Sequence, residues 1–198
     1  MPRPDTSVER RRELAPALAR TFADLGYRRA TTSALAKCCD VQENILYRLW
    51  PDKRAMFIAA LDFVYHLSEQ TWLQLVADAN GETSTAQLIL HYESTHQGEF
   101  GLYRIIFAGL SETDDAEIVA AMQNVYGRFQ AFVHDQVLSH QGVGSPPGNP
   151  NPELAAWAIL GLSTVANIGR ELDLLSDDMR QRLMLEIGNL LLGAKSIS

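Results

Sequence analysis

The chain has 198 residues, 46% hydrophobic and 21% charged, with a formal charge of −7. Those values exclude a collagen-like chain, a disordered acidic tail and a uniformly basic nucleic-acid binder. No apolar run reaches the ~18 residues that a membrane-spanning helix needs.

The average charge conceals a division. Residues 1–60 carry 11 Lys/Arg against 7 Asp/Glu, and residues 61–198 carry 6 against 17. A basic head on an acidic body is the asymmetry expected when one end meets a polyanion. The charged N-terminus has no apolar stretch behind it, so no secretory leader is expected. The two cysteines, Cys38 and Cys39, are neighbours. They read as small buried filler in a reducing, cytoplasmic setting.

Strand alternation and hairpin turns are nearly absent, while helical periodicity recurs. The first helix is predicted over about 12–25, with Leu14, Leu18, Phe22 and Leu25 inward and Gly26 as its stop. Starting it near Arg12 keeps Pro16 in the first turn, where a missing amide costs little. Arg3 and Arg10–Arg12 then stand in a basic arm around the start of this helix. Thr31-Thr32-Ser33 supplies hydroxyl caps for a short helix over 33–39. Asp40 turns the chain into a second short helix over 42–49, which Pro51 ends. Asp52 caps a long helix over 53–78, with Met56, Ala60, Phe63 and Leu67 along one stripe. Breaks at Asn80-Gly81 and Gly98 bound helices over 84–96 and 101–110. A helix over 115–140 follows, then the Gly/Pro-rich loop 142–152 and helices over 152–174 and 177–193. The fold class is all-α, with about nine helices.

Two short helices joined by a tight turn, before a proline break, make a helix-turn-helix pattern. Phe22, Gly26-Tyr27, Thr31-Thr32, Leu35-Ala36, Val41, Leu46-Tyr47-Arg48, Trp50-Pro51, Lys53 and Ala55 stand in an order that resembles the DNA-binding domain of the TetR family of bacterial regulators. The resemblance implies an N-terminal three-helix DNA-binding domain over 8–68. A helical ligand-binding and dimerisation domain is implied over 69–198. Thr31, Thr32, Tyr47, Arg48 and Lys53 are then the candidate phosphate contacts, at helix N-termini or on the recognition helix. Gln42, Glu43, Asn44 and Ile45 occupy its first turn, the part that reaches base edges. Asp40 stands where the family has glycine, a position that calls for positive φ. Glu43 and Asn44 replace the usual Lys and Gly, making this helix less basic.

His66, Tyr92, Tyr103 and Tyr126 are the candidate ligand contacts in a largely apolar chamber. The small-residue stretch Ala155, Ala156, Ala158, Gly161, Ser163, Thr164, Ala166 and Gly169 reads as a close-packing face. With Leu183, Ile187, Leu190 and Leu191 it implies a homodimer through the two C-terminal helices. The expected partners are a palindromic double-stranded operator and a small-molecule effector that shifts the 53–78 helix as a lever and releases a repressor. No metal, cofactor or catalytic set is expected: GxSxG, Walker and GxGxxG signatures are missing. The alternative is a TetR-like ligand-binding or interaction protein with weakened or lost DNA binding.

Overall fold

A computed structural model describes residues 6–78, 83–96, 101–142 and 148–193. Arg3, the Asn80-Gly81 and Gly98 breaks, Phe100 and residues 143–147 of the loop lie outside the described residues. Among the described residues every regular element is helical, and no helix is long and apolar enough to cross a membrane.

The elements are α1 (Thr6–Arg29), α2 (Thr32–Cys38), α3 (Glu43–Leu49), α4 (Lys53–Ala77), α5 (Thr85–His96), α6 (Arg104–Leu110), α7 (Ala116–Gln141) and α8 (Pro152–Glu171). A last rod combines α9 (Asp177–Arg182), a π-helical turn over Leu183–Ile187 and α10 (Gly188–Leu192). The boundaries follow caps. Thr31 caps α2, Asp52 accepts from the Ala55 amide, and Asp115 accepts from Glu117 and Ile118. Asn151 and Ser176 cap α8 and α9. Each supplies an acceptor to amides that have no partner within the helix.

α1 corrects the sequence reading. It begins at Thr6 rather than near Arg12, so Pro16 lies inside it and not in its first turn. The burial of Leu14, Leu18 and Phe22 on one stripe offsets the hydrogen bond that proline forfeits. Gly26 breaks the helix with φ 73° and ψ 165°.

The described residues fall into two compact units, one drawn from residues 1–68 and 100–125, the other from 69–99 and 126–198. In the first, Phe22, Leu35, Leu46, Met56, Phe57, Ile105 and Ile118 are fully buried. Phe57 meets Phe22 edge-on at 5.0 Å and Tyr27 at 5.1 Å. The buried stripe of α4 is broader than predicted. It runs through Met56, Phe57, Ala60, Leu61, Val64 and Tyr65, while Leu67 is exposed.

α6 packs on α1, an arrangement without a local sequence signal. Arg28 donates to both Glu112 oxygens at 3.0 and 3.1 Å, and Arg54 reaches Asp115 and Glu117. Arg104 lies 3.8 Å from Asp24. This pairing corrects the picture of a basic head: residues 1–68 with 100–125 hold 12 Lys/Arg and 12 Asp/Glu.

The second unit centres on Leu90, Val137, Ile159, Leu162, Ala166, Met184 and Leu192. Gly188 lets its helix approach Leu90, where a Cβ would collide. Buried His140 is held between Ser84 and the Gly193 carbonyl, at 2.7 and 3.1 Å. Here the small residues of α8 divide, with Gly161 exposed and Ala158, Ser163 and Thr164 half-buried. Ala155, Ala156, Ala166 and Gly169 are buried within the unit itself. The outward side carries Leu154, Trp157, Val165, Ile168 and Leu172, with Ile187 and Leu190 exposed on the last rod.

Candidate nucleic-acid interface

Two hydrogen-bonded turns set the angle between α2 and α3. The Cys39 amide bonds to the Leu35 carbonyl at 3.0 Å, and the Val41 amide to Ala36 at 3.0 Å. Between them Asp40 takes φ 51°, the left-handed conformation that aspartate tolerates better than most residues. Leu35, Leu46 and Trp50 are buried beneath, so α3 presents its other side outward.

On that side Gln42, Glu43 and Asn44 are exposed, Ile45 is half-buried, and Arg48 is exposed. Gln42 stands at the N-cap of α3, yet its side chain makes no cap bond. Among the described residues, no hydrogen bond or ion pair ties down the side chains of Gln42, Glu43 or Asn44. Three polar side chains thus lie uncommitted at one helix start, where they are available to base edges.

The candidate phosphate contacts are more constrained. Thr31 is exposed, and its hydroxyl oxygen accepts from the Ala34 amide at 3.1 Å. The hydroxyl proton is left to donate outward. Tyr47 is 50% exposed and donates to the Thr32 hydroxyl at 3.2 Å, joining two candidates into one polar cluster. Lys53 is half-buried. Its ammonium donates to the Tyr27 carbonyl at 3.0 Å and sits 4.4 Å over the Tyr27 ring. Burial, then Asp115 and Asp52, raise the Tyr27 phenol pKa, so the ring stays neutral.

Sequence reasoning missed Arg11. Rather than lying in a free arm, it donates through Nε to the Leu49 carbonyl at 2.8 Å and so ties α1 to the end of α3. A cation at a helix C-terminus also favours the helix dipole. Only the 38-residue separation in sequence concealed it. Arg10 pairs with Glu13. The cysteines divide: Cys39 is buried, with a thiol pushed up to about 11 by burial, whereas Cys38 is exposed, contrary to its reading as filler.

The candidate ligand contacts separate. His66 and Tyr103 lie in the first unit, Tyr92 and Tyr126 in the second. His66 is exposed beside Asp62 at 3.4 Å, and Tyr103 meets Phe107 edge-on. Tyr92 stacks on His96 at 4.4 Å. Burial raises the Tyr126 phenol pKa. Sequence reading passed over Glu93, whose Oε1 accepts from the Trp72 indole at 2.6 Å.

An all-helical chain with a capped helix-turn-helix and an exposed recognition-helix start defines the helix-turn-helix class of DNA-binding domain. Comparison makes the assignment narrower. Residues 16–60 match the family model described as "Bacterial regulatory proteins, tetR family". The whole chain has the TetR-like fold. A TetR-family transcriptional regulator from Cytophaga hutchinsonii superposes with a TM-score of 0.77 and 14% identity, covering 99% of this chain and 100% of that one. FadR from Bacillus subtilis, in complex with stearoyl-CoA, gives 0.68 and 15%, covering 93% and 98%. AibR, in complex with isovaleryl coenzyme A and operator DNA, gives 0.63 and 20%, covering 90% and 97%. Comparison with curated protein sequences gives no match.

Proposed function

We propose that this protein is a non-enzymatic, ligand-responsive transcriptional regulator, a homodimeric repressor that a small molecule releases from a palindromic operator. The observation that carries the reading is the uncommitted start of α3, within the segment that matches the TetR-family model. Gln42, Glu43, Asn44 and Ile45 read base edges in this proposal. Thr31, Thr32, Tyr47, Arg48 and the remaining protons of Lys53 hold phosphates. Residues 8–68 serve DNA and 69–198 serve ligand and partner.

Dimerisation is supported by the outward apolar side of α8. Leu154, Trp157, Val165, Ile168 and Leu172 follow helical spacing on one face, with Ile187 and Leu190 on the neighbouring rod. A second copy of the same surface gives an isologous contact. It also supplies the second recognition helix, ~34 Å from the first on successive major grooves. The complexes of FadR and AibR with acyl-CoA molecules support a small-molecule effector here. Tyr92 and Tyr126, both in the second unit, remain its proposed contacts. α4 and α7 each contribute to both compact units, which supports coupling by population shift.

A second reading, weakened DNA binding, is favoured by Glu43 in the reading turn and by the even charge balance of the first unit. Selection from a random duplex library, followed by a salt titration of the winner, separates the two. A palindrome with half-sites about one turn apart supports the regulator. No enriched sequence with folded, ligand-free protein supports the second reading.

A further inference from the structure

The second unit holds a carboxylate that DNA binding does not use. Glu93 on α5 accepts a 2.6 Å hydrogen bond from the indole of Trp72 on α4. Trp72 is 7% exposed and stacks on Phe132 at 4.9 Å. Phe129, also on α7, meets the indole at 5.6 Å and 62°. Among the described residues the indole is the only hydrogen-bond partner of Glu93, so one carboxylate oxygen is left without a donor. Burial raises the pKa of this carboxyl, even with the indole bond and His96 favouring its charge.

Tying down the indole does not explain a carboxylate. A glutamine would accept the same proton without a charge to desolvate. Of this chain's own charged groups His96 alone favours the carboxylate, and burial outweighs it, so a positive group arriving from outside the chain would complete the pairing. The surrounding sequence agrees. Residues 69–99 and 126–141, which contain these side chains, hold 6 Asp/Glu and a single Lys/Arg, Arg128. They offer little to an anionic ligand and much to a cationic one.

We propose that Glu93, with Trp72, Phe129 and Phe132, recognises an organic cation, a protonated amine or quaternary ammonium carried on an apolar body. Aromatic surface beside a carboxylate attracts an ammonium through both the ring quadrupole and the charge. The proposal rests on the second unit being the effector-binding unit and names the chemical class of that effector.

The test uses the full chain and four probes: benzyltrimethylammonium, neutral benzyl alcohol, the anion phenylacetate, and isovaleryl-CoA. Binding is read by calorimetry and operator affinity by anisotropy. The expected order places benzyltrimethylammonium about tenfold or more tighter than benzyl alcohol, with phenylacetate weakest. Glu93→Gln is expected to remove the cation's advantage over benzyl alcohol. Trp72→Phe keeps the carboxylate and is expected to retain the charge order, which keeps the test decisive should Glu93→Gln fail to fold. An anion or isovaleryl-CoA preferred over the cation overturns the proposal. So does cation affinity unchanged in Glu93→Gln, or no cation binding at millimolar concentration. Cation binding at Glu93 that leaves operator affinity unaltered sustains the site and overturns the effector reading. Operator release by isovaleryl-CoA and not by the cation sustains the effector reading and overturns this one.

Discussion

Replacing Lys53 with methionine separates two tasks assigned to one ammonium. Methionine keeps most of the apolar stem but removes the 3.0 Å bond to the Tyr27 carbonyl and the charge 4.4 Å above its ring. A hydrogen bond to a charged group contributes about 1.5–3 kcal/mol, and a partly exposed cation–π contact about 0.5–1 kcal/mol. Both use the same ammonium, which regains full hydration on unfolding, so the net loss is about 2 kcal/mol. For a chain of 198 residues that lowers Tm by about 4–8 °C. A phosphate contact would in addition steepen the salt dependence of operator binding by ~0.9 per protomer, about 2 for a dimer. Circular-dichroism melts measure the first effect, and anisotropy titrations over a salt series the second. A Tm within about 1 °C of the unmodified protein refutes the tether. An unchanged salt slope refutes the phosphate contact, whatever the melt does.

Gly26→Ala isolates backbone strain, because a Cβ there meets nothing within 4 Å while φ 73° and ψ 165° suit glycine alone. The expected cost is about 1–3 kcal/mol, and a melt indistinguishable from that of the parent protein removes the argument. Glu93→Gln tests a pH slope. Burial holds this carboxyl above its ordinary 4.5, so the folded chain keeps a proton that the unfolded chain loses. Stability therefore falls as pH rises from about that ordinary value through the raised one. The variant should lack that slope and be the more stable at neutral pH; parallel denaturation curves across the acid range would contradict this. Asn167→Leu removes the Oδ1 that is buried without a partner, in a residue 7% exposed. A gain of about 1 kcal/mol in chemical denaturation is expected, and a loss would mean that the oxygen has a donor.

The helix-turn-helix was legible because its signals are local. Thr31 caps within three residues, Asp40 turns within one, and Trp50-Pro51 closes the pair. The helix ends predicted from periodicity fall within a few residues of those observed, except where α1 runs back to Thr6. The π-helical turn at Leu183–Ile187 was not legible, since each of its residues also fits an ordinary helix. Glu93 escaped notice because its meaning depends on Trp72, 21 positions away.

Periodicity, capping residues and the turn at Asp40 by themselves determined that this chain is all-helical and where its recognition helix starts. Those properties depend on groups within about four residues of one another. Tertiary structure decided which charges cancel, that Arg11 holds the end of α3, and that α8 buries Ile159 and Leu162 while Leu154, Trp157, Val165 and Ile168 face outward. An amphipathic helix specifies that one side must be buried. Only the neighbours that long-range packing brings to it select the side and assign each cation its partner.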